Sequence, residues 1–180
     1  LDNGHTHYTH SLGMIELREA ISEHYLKTYG VSADPDQIVI SSGTSPAMFV
    51  MFSALLEKGD QVIVSDPHYA CYPNFIKFVQ GEPVLIPVYE EDGFQYRPEA
   101  IEKKITRNTK GIFINSPSNP TGNLLSKDRM EEIAALSLKP GSPYIISDEI
   151  YHGLVYEGKE HSILEFTEKA FVFNGFSKLY

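Results

Sequence analysis

The sequence predicts an α/β protein with three layers, in which helices cover both faces of a mainly parallel sheet. Two observations lead to this prediction. Short runs that are apolar throughout alternate with segments whose apolar residues recur at helical spacing. A strand that is apolar throughout is buried on both faces, which is typical of parallel sheets. The 180 residues are 42% hydrophobic, which is enough for the core of one compact domain, so we expect a single domain over residues 1–180.

The helices and strands are expected to alternate along the chain. Gly30 and Gly59 are suited to end helices, Pro46 to the first turn of a helix, and Ser126 to an N-cap. Helices are therefore expected around residues 17–25, 47–55, 101–105 and 126–134. Strands are expected at residues 38–40, 62–64, 84–86, 112–114, 144–146 and 170–173.

Composition excludes several classes of partner. The formal net charge of -9 disfavours a nucleic-acid backbone or an anionic membrane. No apolar stretch approaches the roughly 20 residues that span a bilayer. Cys71 is the single cysteine and predicts a reducing, cytoplasmic setting. His5, His7 and His10 lie close together, but a metal site needs further ligands on rigid structure, so we predict no metal.

Five polar segments follow the apolar runs, and their shared placement is the main functional signal. They are residues 41–45, 65–72, 115–122, 147–151 and 174–178. In open parallel sheets, ligands bind outside the carboxyl ends of the strands. We therefore expect these five segments to meet at one site.

The first two segments suit an anion and a planar ring. Gly43-Thr44-Ser45 joins a predicted strand to a predicted helix, and its free amides can bind an anion, although an ordinary N-cap with a tight turn has the same pattern. Tyr69 and Tyr72 can place an aromatic ring over a flat heterocycle. Packing is the alternative for both tyrosines and is the preferred interpretation for Tyr72.

The remaining segments supply polar groups that could hold and attack a ring compound. The Asn119 amide can donate to a phenolate oxygen, and Tyr151 can donate to the same atom. Asp148 closes an apolar strand, and a buried carboxylate needs a cation such as a pyridinium nitrogen. A helix cap is the alternative for Asp148. Lys178 is either a surface lysine or a nucleophile, and burial would favour loss of its proton. One ligand uses all these groups, namely pyridoxal phosphate.

In these motifs the chain resembles the large domain of class I/II aminotransferases, the aspartate-aminotransferase-like enzymes of fold type I. The resemblance runs from Tyr8 to Lys178. Its motifs are Gly43-Thr44-Ser45, Pro67 with Tyr69 and Tyr72, Asn119-Pro120-Thr121-Gly122, Asp148-Glu149-Ile150-Tyr151 and Ser177-Lys178.

The resemblance implies a role for each motif. Lys178 is then the catalytic residue that carries the cofactor as an internal aldimine and later moves the substrate proton. Asp148 pairs with the ring nitrogen, and Tyr151 and Asn119 bind the ring oxygen. Tyr69 stacks on the ring. The phosphate is held by the Gly43-Thr44-Ser45 turn, by Ser177 and, from the neighbouring subunit of a homodimer, by Tyr8.

The resemblance also implies a larger enzyme. Many relatives have a phosphate-binding serine where this chain has Gly175, and their phosphate-binding and substrate-binding arginines come after the lysine. We therefore expect residues 1–180 to be an incomplete large domain, with the small domain largely missing. The expected reaction is amino-group transfer between an amino acid and a 2-oxo acid. The alternatives are a carbon–sulfur lyase of the same fold and a non-catalytic cofactor-binding fragment.

Overall fold

A five-stranded parallel sheet is the centre of the fold. The computed structural model describes residues 4 and 6–180. The strands are β1 (Gln61–Asp66), β2 (Glu82–Pro87), β3 (Thr109–Asn115), β4 (Tyr144–Asp148) and β5 (Ala170–Phe173). Their order across the sheet is β2-β1-β3-β4-β5, and every neighbouring pair is parallel. All five carboxyl ends therefore lie at one edge of the sheet.

Helices lie on both faces of this sheet. They are α2 (Thr44–Leu55), α3 (Tyr72–Phe78), α4 (Pro98–Glu102) and α5 (Lys127–Ala135). A further helix, α1 (Ile15–Tyr29), precedes them in the chain. Successive residues of β3 show how the layers form. Phe113 packs in one core with residues of α2 and α3, whereas Ile112 and Ile114 pack in a second core with residues of α4 and α5. This alternation follows from the two-residue period of a strand and confirms the three-layer prediction.

The chain forms two compact units, up to Ser42 and from Gly43 to Tyr180. The first unit contains α1, whose end is set by Gly30 in the left-handed conformation, as the sequence predicted. Its buried Arg18 bonds to the Pro35 carbonyl oxygen at 2.8 Å and to Asp36 at 3.0 Å. The second unit contains the whole sheet and helices α2–α5.

The secondary structure differs from expectation in two places. Residues 38–40 form no strand, because a β-branched run also needs a neighbouring strand; instead the Ile40 amide bonds to the Leu12 carbonyl oxygen, and Val39 is exposed. The second difference is α3, which the sequence analysis did not predict. It begins at Tyr72, with Pro73 in its first turn, where a missing amide hydrogen costs nothing.

Across residues 4 and 6–180, no helix is long and apolar enough to cross a membrane.

Candidate functional site

The candidate site lies at the carboxyl edge of the sheet, where three strand ends are in register. Asn115 ends β3, Asp148 ends β4 and Phe173 ends β5. Asn115 is paired with Asp148, and Asp148 with Phe173. The segments that follow these strands start from one row of residues, so the predicted convergence of the 115–122, 147–151 and 174–178 segments is met by the topology.

Asp148 is the buried charge of the site. Its Oδ2 atom accepts a hydrogen bond from the Tyr72 hydroxyl at 2.7 Å, and its Oδ1 atom accepts one from the Ile150 amide at 3.2 Å. Burial raises the pKa of the Asp148 carboxyl above its usual range, and these two hydrogen bonds oppose the rise. The bond from Ile150 closes a turn. The next helical segment after β4 begins only at Ile163, so the alternative interpretation of Asp148 as a helix cap is wrong. Each oxygen retains acceptor capacity for a cation.

Tyr72 is the residue that sequence reasoning underestimated. Its ring packs against Phe113 with centroids 4.1 Å apart, so the packing interpretation is correct for the ring. Its hydroxyl nevertheless bonds to Asp148, which the packing interpretation did not include. Burial raises the pKa of Tyr72 above its usual value, and the nearby Asp148 acts in the same direction, so the phenol stays a donor.

Asn119 and Tyr151 meet above the β3 and β4 ends. The Asn119 side-chain amide lies 3.4 Å from the Tyr151 hydroxyl, so both groups can donate to one oxygen atom. Asn115 fixes this arrangement from below. Its Oδ1 atom accepts a hydrogen bond from the backbone N–H of Asn119 at 2.7 Å, while its Nδ2 group donates to the Asp148 carbonyl oxygen at 2.8 Å. The sequence signal for Asn115 was available, because it closes β3 as Asp148 closes β4.

Tyr69 is a partly exposed aromatic residue beside this cluster. Its ring meets that of Tyr72 edge to face, with centroids 5.4 Å apart. A hydrogen bond with Cys71 raises the pKa of Tyr69, and Tyr151 and Asp148 act in the same direction. Tyr72 in turn bonds to Asp148, so the Tyr69 ring lies beside the residue that contacts the buried carboxylate. The expected position of an aromatic ring at the ligand site is therefore consistent with the structure.

The Gly43-Thr44-Ser45 turn begins α2. Gly43 precedes the helix with φ 142°, and no side chain caps the first turn. The backbone N–H groups of that turn are consequently open to an anion, on the axis of a helix dipole. A Cβ atom placed on Gly175 would lie 4.0 Å from Thr44 Cγ2, which brings the segment of Lys178 alongside the start of α2.

Lys178 lies in a turn after β5. Its ammonium nitrogen is 5.8 Å from the centre of the Tyr151 ring. Both Lys178 and Ser177 are exposed, so the burial expected to favour loss of the lysine proton is absent from this structure. Gly175 packs closely against the segment that follows β4. A Cβ atom there would lie 3.0 Å from Ile150 Cδ1, closer than ordinary contact.

Tyr8 lies in the first unit with its side chain fully exposed. His7 and His10 are exposed as well, and His5 is outside the described residues. Over residues 4 and 6–180, no group of three or more His, Cys, Asp or Glu side chains could hold a metal ion.

The comparisons with known proteins agree with this geometry. The family described as aminotransferase class I and II matches residues 2–180. A (5-formylfuran-3-yl)methyl phosphate transaminase of Methanocaldococcus jannaschii is 44% identical over 100% of this chain and 46% of its own length. An aspartate aminotransferase of Pyrococcus horikoshii is 39% identical over 100% of this chain and 46% of its own length.

A solved structure gives the same result for the fold. Aspartate aminotransferase from Thermus thermophilus with maleate superimposes with a TM-score of 0.92 at 36% identity, covering 97% of this chain and 46% of that one. The fold is an open parallel sheet of the α/β class with polar groups at its carboxyl edge. The chain belongs to the aminotransferase class I and II family. It spans about half the length of the curated relatives that it matches.

Proposed function

We propose that the whole protein transfers an amino group between an amino acid and a 2-oxo acid, using pyridoxal phosphate. When bound, this cofactor supplies an electron-withdrawing ring that labilises bonds at the substrate's α-carbon. One observation carries the proposal: Asp148, buried at the carboxyl edge of a parallel sheet, has a hydroxyl donor on one oxygen and acceptor capacity left for a ring N–H. Family membership supports it independently.

Different residues of the chain would bind different parts of the cofactor ring. Asp148 would hold the ring nitrogen protonated, because a buried carboxylate stabilises a neighbouring cation. Asn119 and Tyr151, 3.4 Å apart, would donate to the ring oxygen. Tyr69 would lie against the ring face.

The phosphate would be bound by backbone amides and hydroxyl groups. The open first turn of α2, at Gly43-Thr44-Ser45, supplies amides and a helix dipole. Ser177 would add a hydroxyl from the segment that lies alongside that turn. These contacts would orient the ring relative to Lys178.

Lys178 would be the catalytic residue. Its amine would hold the cofactor covalently and, once displaced by the incoming amino acid, would move the proton from the substrate's α-carbon to the cofactor's aldehyde carbon. The ammonium must lose its proton before the amine can react. A positive charge on the bound ring beside it would favour that loss. The distance of 5.8 Å between this amine and the centre of the Tyr151 ring supports the role.

Two finer properties belong to the same proposal. Tyr8 would reach the cofactor phosphate of a second subunit, which makes the active protein a homodimer with shared sites. Its full exposure supports a role outside its own unit. The cytoplasm is the proposed compartment, because Cys71 is the only cysteine.

The test uses the whole protein with added pyridoxal phosphate. A visible absorbance band is expected on binding, and borohydride should fix the cofactor to Lys178, as located by peptide mass. Amino transfer to 2-oxoglutarate is then measured over a panel of donors, since the relatives' names include aspartate, aromatic amino acids and a furan phosphate.

Matched variants make this test specific. Lys178→Ala should abolish transfer, whereas Lys159→Ala, at an exposed lysine, should not change it. Fixation at another lysine would refute the role of Lys178. Binding without transfer, or release of a thiol product instead of a new amino acid, would refute the proposed reaction.

A further inference from the structure

We propose that Gly153 is a positioning residue for Lys178, because its missing side chain leaves a notch that receives Leu179. The inference rests on the proposed role of Lys178 but concerns a residue outside the cofactor-binding motifs. It follows from a close approach between two turns, residues 151–154 after β4 and residues 176–180 after β5.

The two turns approach so closely that a side chain at position 153 would require the Leu179 side chain to move. A Cβ atom placed on Gly153 would lie 2.6 Å from Leu179 Cδ2 and 2.9 Å from Leu179 Cδ1. Carbon atoms that are not bonded normally approach to about 3.5–4.0 Å. Gly153 also has φ +89°, a conformation that L-residues rarely adopt. Leu179 therefore packs directly on the Gly153 backbone.

Gly153 is held in place and cannot easily move aside. Its amide donates to both carboxylate oxygens of Glu160, at 3.0 and 2.8 Å. The Leu154 amide bonds to the Tyr151 carbonyl oxygen at 3.1 Å and closes the turn. A new methyl group at position 153 would therefore displace Leu179 and not the glycine backbone.

The turn after β5 passes such a displacement on to Lys178, which directly precedes Leu179. The Tyr180 amide bonds to the Phe176 carbonyl oxygen at 3.0 Å and closes the turn that contains both residues. A second close approach, between Gly175 and Ile150, fixes the start of the same segment. Tyr151, whose ring lies under the Lys178 ammonium, belongs to the turn that contains Gly153. The notch thus sets the position of Lys178 relative to Tyr151.

The test compares Gly153→Ala with Gly158→Ala in the whole protein. Gly158 has φ +87°, so its alanine variant carries the same backbone strain, but a Cβ atom there meets only Leu124 at 3.4 Å. Leu179→Ala empties the notch without strain at an exposed position, and the double variant Gly153→Ala/Leu179→Ala removes the clash. Acetylation of Lys178 without added cofactor is followed by peptide mass, with the exposed Lys139 as internal reference.

Gly153→Ala and Leu179→Ala should each speed Lys178 acetylation by about threefold, because the contact between the Lys178 side chain and the Tyr151 ring is lost. Gly158→Ala should leave it unchanged. In the Leu179→Ala background, Gly153→Ala should have no further effect, which is the signature of coupled residues. With cofactor, amino transfer by Gly153→Ala should fall by up to about 10²-fold, as expected for a misplacement near 1 Å.

Three results would overturn the inference: equal effects of Gly153→Ala and Gly158→Ala, unchanged acetylation in both Gly153→Ala and Leu179→Ala, or additive effects in the double variant. Borohydride fixation in the unsubstituted protein decides the role of Lys178 separately. Fixation at Lys178 with unchanged acetylation in the variants would therefore refute the notch alone.

Discussion

Tyr72 and Asp148 are 76 positions apart in the sequence and joined by a hydrogen bond of 2.7 Å between the phenol and Oδ2. The bond connects the first turn of α3 to the end of β4. Burial raises the pKa of Asp148, and this hydrogen bond lowers it, because the donor stabilises the charged carboxylate. Tyr72 therefore helps to keep the buried Asp148 ionised.

Tyr72→Phe is expected to raise the pKa of Asp148 further and to move the acidic limb of the amino-transfer pH profile to higher pH. Tyr96→Phe is the matched control, because Tyr96 is equally buried but donates to a backbone carbonyl oxygen, that of Phe113. Both variants should lose about 1–3 kcal/mol of unfolding free energy. Only Tyr72→Phe should shift the pH profile, and an equal shift in both would contradict the role given to Tyr72.

Replacing Asp148 with Asn tests the charge itself. The neutral amide keeps the shape but cannot stabilise a protonated ring nitrogen, so amino transfer should fall by more than about 10²-fold. Asp66→Asn, at the exposed end of β1 on the same edge of the sheet, is the control and should change transfer little. A loss of tenfold or less in Asp148→Asn would indicate a structural role.

Tyr151→Phe should act more mildly. Loss of a donor to the ring oxygen destabilises its anionic form, so the pH-dependent change in the bound cofactor's visible spectrum should move to higher pH. The Asn119 amide, which lies 3.4 Å from the Tyr151 hydroxyl, should keep the site intact. Tyr156→Phe, at an exposed tyrosine, supplies the reference titration. Identical spectra in the two variants would place Tyr151 away from the ring oxygen.

The sequence allowed Asp148, Asn119 and Tyr151 to be placed together for a simple reason. Each follows an apolar run, and parallel strands bring their carboxyl ends to one edge. Tyr72 was harder to place, because it begins a short helix whose seven residues give too little periodicity to show which side faces inward. The run at residues 38–40 shows the opposite error, since local β-propensity cannot reveal whether a neighbouring strand is available.

Glu149 is a further buried carboxylate, on the other side of the β4 end from Asp148. Its Oε1 atom accepts hydrogen bonds from Ser147 Oγ, Ser162 Oγ and the Ile163 amide, at 3.0, 3.2 and 3.0 Å. Its Oε2 atom has no hydrogen-bond partner and lies 3.6 Å from His152 Nδ1. Burial raises the pKa of Glu149 to about 8. At a pH between about 4.5 and 8, Glu149 is therefore protonated in the folded protein and ionised in the unfolded chain.

The sign of the pH dependence follows from this difference. Between about pH 4.5 and 8 the folded state binds more protons at Glu149 than the unfolded state, so stability falls as pH rises. The stabilisation is complete below the unfolded pKa and is lost once pH passes the folded pKa. Glu149→Gln keeps an acceptor for the three donors but cannot titrate. As pH rises across this window, the unfolding free energy of Glu149→Gln should therefore increase relative to that of the unsubstituted protein by on the order of 4 kcal/mol.

Urea unfolding of both proteins at several pH values measures this effect. The lowered pKa of His152 and the raised pKa of Asp148 also contribute to the pH dependence, but both groups remain in the variant. The difference between the two curves therefore isolates Glu149. Parallel curves from pH 5 to pH 8 would mean that Glu149 is ionised in the folded state, with the positive charge of a protonated His152 beside it.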